Sequence, residues 1–176
     1  AKSFWQDKIG KAGLITFDAH HDLRDGESNG SPVWQLIQAG LPGKNIVQIG
    51  IADFANSAQY SQRAKDNGIT VFSRAQLREI SVAEILRKSL EIAGAEGREV
   101  YVDLDVDVCD RSVAPACPAA MPGGISADEL RQAAFLFGAD KRVRAIDITE
   151  IDSAADSDDQ RTVRLGALWL VQSCLR

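Results

Sequence analysis

The stretch Leu14-Ile15-Thr16-Phe17-Asp18-Ala19-His20-His21-Asp22 decides the fold. A short apolar run of strand-forming residues passes directly into carboxylates and imidazoles. Four further runs read as buried strands: Ile46-Val47-Gln48-Ile49-Gly50-Ile51, Ile69-Thr70-Val71-Phe72, Val100-Tyr101-Val102-Asp103-Leu104 and Val143-Arg144-Ala145-Ile146-Asp147-Ile148. Helical spacing lies between them. Val33, Leu36 and Ile37 mark one helix. Val82, Ile85, Leu86 and Leu90 mark another, opened by Ser81 with Glu84 three residues on, a capping box. Ser126 and Glu129 repeat that cap ahead of Leu130, Ala133, Ala134 and Phe135, and a last helix spans Thr162 to Leu175. Gly40, Gly43, Gly68, Gly94 and Gly97 fall between helices and strands, where C-caps belong. Strand-then-helix units in series predict an α/β fold, a three-layer α/β/α arrangement around a mostly parallel sheet, as one domain over residues 1–176.

Composition removes several classes. The 176 residues carry 20 Lys and Arg against 25 Asp and Glu, a net charge of -5, whereas a nucleic-acid-binding surface is basic. No apolar run approaches the ~20 residues of a membrane helix. Cys109, Cys117 and Cys174 are scattered and unpaired, suggesting neither a disulfide framework nor a zinc-thiolate site. The opening Ala1-Lys2-Ser3-Phe4-Trp5 has no signal-peptide pattern, so a cytoplasmic location is expected. It also lacks an initiator Met, which suggests a piece of something longer.

In an open parallel sheet, ligands bind outside the carboxyl ends of the strands. Three strand ends here are acidic. Asp18, His20 and Asp22 are spaced by two and are expected to face one way on an extended backbone. Asp103, Asp105 and Asp107 repeat that spacing, followed by Asp110, and Asp147, Glu150 and Asp152 close the fifth strand. Two carboxylates ~4 Å apart repel by roughly 4 kcal/mol at an effective dielectric of ~20. The nearest cations in sequence are Arg24 and Arg111. A bound divalent ion is the natural counter-charge, and oxygen ligands with a single imidazole favour an ion such as manganese over zinc. Should Asp18 and Asp105 both bridge, two ions fit and can activate a shared water. Taken singly, each aspartate is an ordinary helix cap; Asp152, Asp156, Asp158 and Asp159 read as a solvated loop capping the last helix.

These motifs resemble those of the ureohydrolase family of arginases, agmatinases and formimidoylglutamases. Asp18-Ala19-His20-His21-Asp22 matches its DAHxD signature. Asp105-Val106-Asp107-Val108-Cys109-Asp110-Arg111 resembles its DxDxxDP run, continued by Ala114-Pro115-Ala116 and Met121-Pro122-Gly123-Gly124-Ile125-Ser126. Asp147-Ile148-Thr149-Glu150-Ile151-Asp152 resembles its third motif. The resemblance implies an arginase-like fold and a dimanganese cluster, with Asp18 and Asp105 bridging, Asp22 on one ion, and His20 and Asp107 on the other. It further implies that Asp22 orients the attacking hydroxide and that Glu150 pairs with the cationic nitrogens of an amidine or guanidine substrate. Homo-oligomers are implied as well.

Within the family, Asp18 to Arg24, Asn29 to Leu36, Gln48 to Ile51 and Ala55-Asn56-Ser57 look most like formimidoylglutamase. The implied reaction is hydrolysis of N-formimidoyl-L-glutamate to L-glutamate and formamide, a step of histidine breakdown. Arg24 is then a candidate for a substrate carboxylate, and Asn29 for a further substrate contact. Another agmatine or guanidino hydrolase is the alternative. Two departures stand out. The family's N-terminal Gly-Gly-Asp-His motif, with its metal-ligating histidine, has no counterpart, since His20 and His21 are the only histidines. That implies a missing N-terminal part and raises an inactive remnant as a further alternative. Glu27 to Ser31 also lacks the proton-shuttling histidine of arginases. Arg111 and Ser153 replace prolines without removing a ligand.

Overall fold

Five strands form in the computed structural model, which describes residues 1–175: β1 (Gly13–Phe17), β2 (Ile46–Ile51), β3 (Thr70–Ser73), β4 (Val100–Asp105) and β5 (Val143–Thr149). Residue 176 of the expected domain lies outside the described residues. Every pairing is parallel, in the order β3-β2-β1-β4-β5. The chain therefore leaves the central β1 in one direction to build β2 and β3, then returns to its other side for β4 and β5. That reversal opens a crevice between the loops after β1 and β4.

Alternation along the strands splits the apolar residues between two faces. Ile15, Phe17, Val47, Ile49, Val102 and Leu104 form one core with α5 (Val82–Ala93), α6 (Ala127–Ala139) and α7 (Arg161–Cys174). Leu14, Ile46 and Tyr101 join the other, with α1 (Lys2–Trp5), α2 (Pro32–Gln38) and α3 (Ala58–Asp66) contributing Trp5, Val33 and Ala64. A short α4 (Arg74–Leu77) follows β3 directly. The three-layer expectation is met.

Local differences have physical causes. The helix α3 gives no apolar stripe, because Ala64 is its one buried residue; it is set by Ser57, whose side chain accepts the Tyr60 N–H. At Ser81 only half of the expected capping box forms: its hydroxyl accepts from Glu84 N–H, while the Glu84 carboxylate turns to Lys88 at 2.8 Å. Ser126 and Glu129 complete theirs, with bonds of 3.2 and 2.8 Å. Replacing Ser126 by Ala is expected to cost about 1 kcal/mol, lowering the melting temperature by roughly 2–4 °C in a calorimetric scan. Gly40 is left-handed (φ 108°), as a helix end asks. Gly43 instead opens a turn into β2, where a Cβ would collide with the Asn67 carbonyl.

Candidate metal centre

The loop after β1 and the turn after β4 meet at the crevice. Asp18 (1% exposed) and Asp107 (1%) are buried there, and half-buried His20 lies between them. His20 Nδ1 donates to Asp107 Oδ2 at 2.6 Å and stands 3.7 Å from Asp18 Oδ1. One ligand atom from each of the three lies within 4.8 Å of the others. The backbone serves the same cluster: Ala19 N–H donates to Asp107 Oδ1 (2.8 Å), His20 N–H to Asp18 Oδ1 (2.5 Å) and Asp107 N–H to Asp105 Oδ1 (2.8 Å).

Asp22 and Asp105 sit beside this trio. Asp105 is buried, and its second oxygen is 3.5 Å from Thr149 Oγ1. Asp22 reaches the crevice by a different backbone from the extended one expected. The strand stops at Phe17, and Asp22 is left-handed (φ 53°). Glu150, just past β5, is left-handed too (φ 64°). Non-glycine residues rarely hold that conformation, and it concentrates at functional sites.

Electrostatics shows the cost of this crowding. Burial pushes the Asp18 carboxyl well up, and burial lifts Asp22 to about 7. Burial, with Asp107 beside it, raises Asp105 to about 8. Asp107 is also pushed up by burial, but the His20 and Ala19 hydrogen bonds outweigh that and hold it below the usual range. The Asp107 and Asp18 contacts raise His20 to about 10, so an imidazolium supplies the local counter-charge.

A divalent ion suits these donors. Atoms sharing one ion at about 2.2 Å from each lie at most about 4.4 Å apart, so the trio needs little rearrangement to hold one. Burial lifts the nearby Cys109 and Cys117 thiols to about 12, so they stay protonated and add no thiolate. The donor set is oxygen-rich with one imidazole, which favours manganese over zinc.

The remaining expected residues divide. A cavity of about 600 Å³ lies beside the cluster and is lined by Asp22, Asn29, Asp105 and Glu150, among others, with none of the trio on its wall. Asn29 is exposed at its wall. Arg24 is exposed and outside that wall, although its charge favours ionised Asp22. Asp110 turns away to bind Ser112 and Gly123 N–H (2.8 and 2.7 Å). Asp156 accepts from Thr162 Oγ1 and Val163 N–H, capping α7.

Proximity in sequence misjudged the cations. Arg111 holds its own loop through the Cys117 and Pro118 carbonyls. The buried cation at the cluster is Arg74, whose Nη2 donates to the Asp107 carbonyl at 2.7 Å. Only its place directly after β3 hinted at this. Asp147, expected at an acidic strand end, accepts from Tyr101 Oη at 2.8 Å, opposite Asp103 in the β4–β5 register.

Comparison with known proteins gives consistent matches. The model of the arginase family matches residues 3–175. A formimidoylglutamase of Halalkalibacterium halodurans is 39% identical over 152 residues, covering 84% of this chain and 48% of that protein. The crystal structure of formimidoylglutamase from Bacillus subtilis superposes with a TM-score of 0.90 at 32% identity, over 96% of this chain and 54% of that one. Trypanosoma cruzi formiminoglutamase, solved with Mn2+, shares the fold at a TM-score of 0.85 and 24% identity, over 98% of this chain and 58% of that one. The chain thus spans about half the length of the curated relatives it matches.

Proposed function

The chain belongs to the arginase family, and on that premise we propose that it hydrolyses a C–N bond of a linear amidine at a dimanganese centre. The substrate that fits best is N-formimidoyl-L-glutamate, which takes up water to give L-glutamate and formamide. One observation carries the reading: Asp18, His20 and Asp107 converge within 4.8 Å, and Asp22 and Glu150, both on left-handed backbone, line the cavity beside them together with Asp105.

In this reading Asp18, His20, Asp22, Asp105 and Asp107 would hold the two ions, with Asp18 and Asp105 shared as the family resemblance implies. When bound, the ions lower the pKa of a shared water and polarise the electrophile. The protein's own groups do the rest. Asp22 accepts a hydrogen bond from the attacking water and fixes its direction. Glu150 pairs with the planar amidinium, where charge-assisted bonds orient as well as attract. Asn29, on the cavity wall, meets the glutamate end, and Arg24, exposed just outside that wall, would turn in to pair its guanidinium with the substrate carboxylate. The small-molecule reaction takes place in the cytoplasm and in a homo-oligomer.

A second reading has one observation in its favour. Because the chain spans about half of its relatives' length, it is a metal-binding piece that needs further polypeptide for turnover. Measuring manganese per chain together with formamide release from N-formimidoyl-L-glutamate, with agmatine as the competing substrate, separates the two. Two ions and formamide are the expected result. At most one ion and no product would establish the second reading, and turnover of agmatine alone would replace the substrate.

A further inference from the structure

The loop carrying Asp18, His20 and Asp22 belongs to neither a helix nor a strand; backbone bonds fix it at Asp18 (to the Ile49 carbonyl), Ala19 (from Ala52 N–H) and Asp22 (from Trp34 N–H), and side chains hold the residues between. Gln48, fully buried in the middle of the otherwise apolar β2, is committed to it. Gln48 Nε2 donates to the His21 carbonyl at 2.8 Å, and Gln48 Oε1 accepts from His21 Nδ1 at 2.7 Å. An amide oxygen can only accept, so this bond assigns the proton to Nδ1. The Nε2 lone pair is left facing Ser61 Oγ at 3.3 Å. Asn56 grips from the other side. Its Oδ1 accepts the His21 N–H at 2.9 Å, and its Nδ2 donates to the Ala19 carbonyl at 2.9 Å. The two residues flanking His20 are therefore both tied to Asn56, and the residue before Asp22 is tied to Gln48 as well.

We infer that Gln48 and Asn56 are positioning residues of the metal centre, acting through Ala19 and His21 to keep His20 and Asp22 turned toward Asp18 and Asp107. The inference rests on the manganese reading above. Both amides are neutral, so removing either changes no charge. A change in cation affinity then reports geometry rather than altered attraction.

The test uses Gln48→Leu and Asn56→Ala in the whole chain, titrated with Mn2+ and followed by the electron paramagnetic resonance of the free ion. Nitrogen-15 resonances of the imidazoles read the His21 tautomer in the same metal-free samples. Binding about 10–100-fold weaker is expected in each variant, the usual loss when an outer partner of a metal ligand is removed. Gln48→Leu is expected in addition to release the Nδ1-protonated tautomer. Asn56 is half-buried and lies outside the sheet, so its variant stays informative where Gln48→Leu fails to fold. Affinity within twofold of the parent in a folded variant overturns the inference. A parent chain that binds no manganese overturns the metal reading, and this inference with it.

Discussion

Asp18→Asn is expected to abolish manganese binding while raising the melting temperature of the metal-free protein. The two effects have one origin. Asp18 is buried beside Asp22, Asp105 and Asp107, and burial already disfavours its charge. An amide of the same shape keeps an oxygen for the His20 N–H and is neutral without having to bind a proton, so the empty cluster no longer bears the cost of burying a carboxyl. That same oxygen is a far weaker ligand. Losing a residue proposed to touch both ions must exceed the ~100-fold that an outer partner costs. Asp105→Asn should behave alike, since it is assigned the same bridging role. Metal content after gel filtration and a calorimetric scan in chelator check both halves. Two retained ions in either variant would remove the bridging assignment.

The second large effect concerns pH. Asp22 and Asp105 have folded pKa values near 7 and 8, far above an ordinary carboxyl, and Asp18 is shifted in the same direction. Between pH 4 and 8 the folded chain therefore holds more protons than the unfolded one, and stability falls as pH rises. His20, raised to about 10, adds a loss of the same sign above pH 6.5. Asp107 is shifted the other way, so its contribution is lost only in strong acid, below the ordinary carboxyl range. From pH 5 to 8 the metal-free protein is expected to lose about 2 kcal/mol or more, a melting temperature lower by roughly 4–8 °C. Manganese should reverse the slope, because a cation takes the place of the lost protons. A flat or rising profile in chelator would show that these carboxylates are not buried together in solution.

The sheet was legible because each strand is a short apolar run bounded by turn chemistry. For β2 the expected and observed limits coincide at Ile46 and Ile51. The carboxylates of the centre were legible too, because strand ends and spacing gather them. Two kinds of feature escaped. Arg74 and Asn56 enter from loops and short helices distant in sequence, and no local pattern says which way they point. Asp22 reaches the site through a left-handed turn, which spacing by two cannot represent. Gln48 sat in plain view within an apolar run, where its amide was legible only as part of a resemblance.

The order in which the sheet is laid down has a consequence for biosynthesis. Asp18, His20 and Asp22 emerge from the ribosome ahead of Asp105 and Asp107, which follow about 85 residues later, roughly 4–17 s at usual elongation rates. Throughout that interval β1 lacks its β4 neighbour, and the proposed site lacks the donors of Asp105 and Asp107. On the proposed manganese reading, metal loading is therefore tied to the emergence of β4 and the turn that carries Asp107, and a polypeptide arrested after β3 is expected to leave the ribosome without metal.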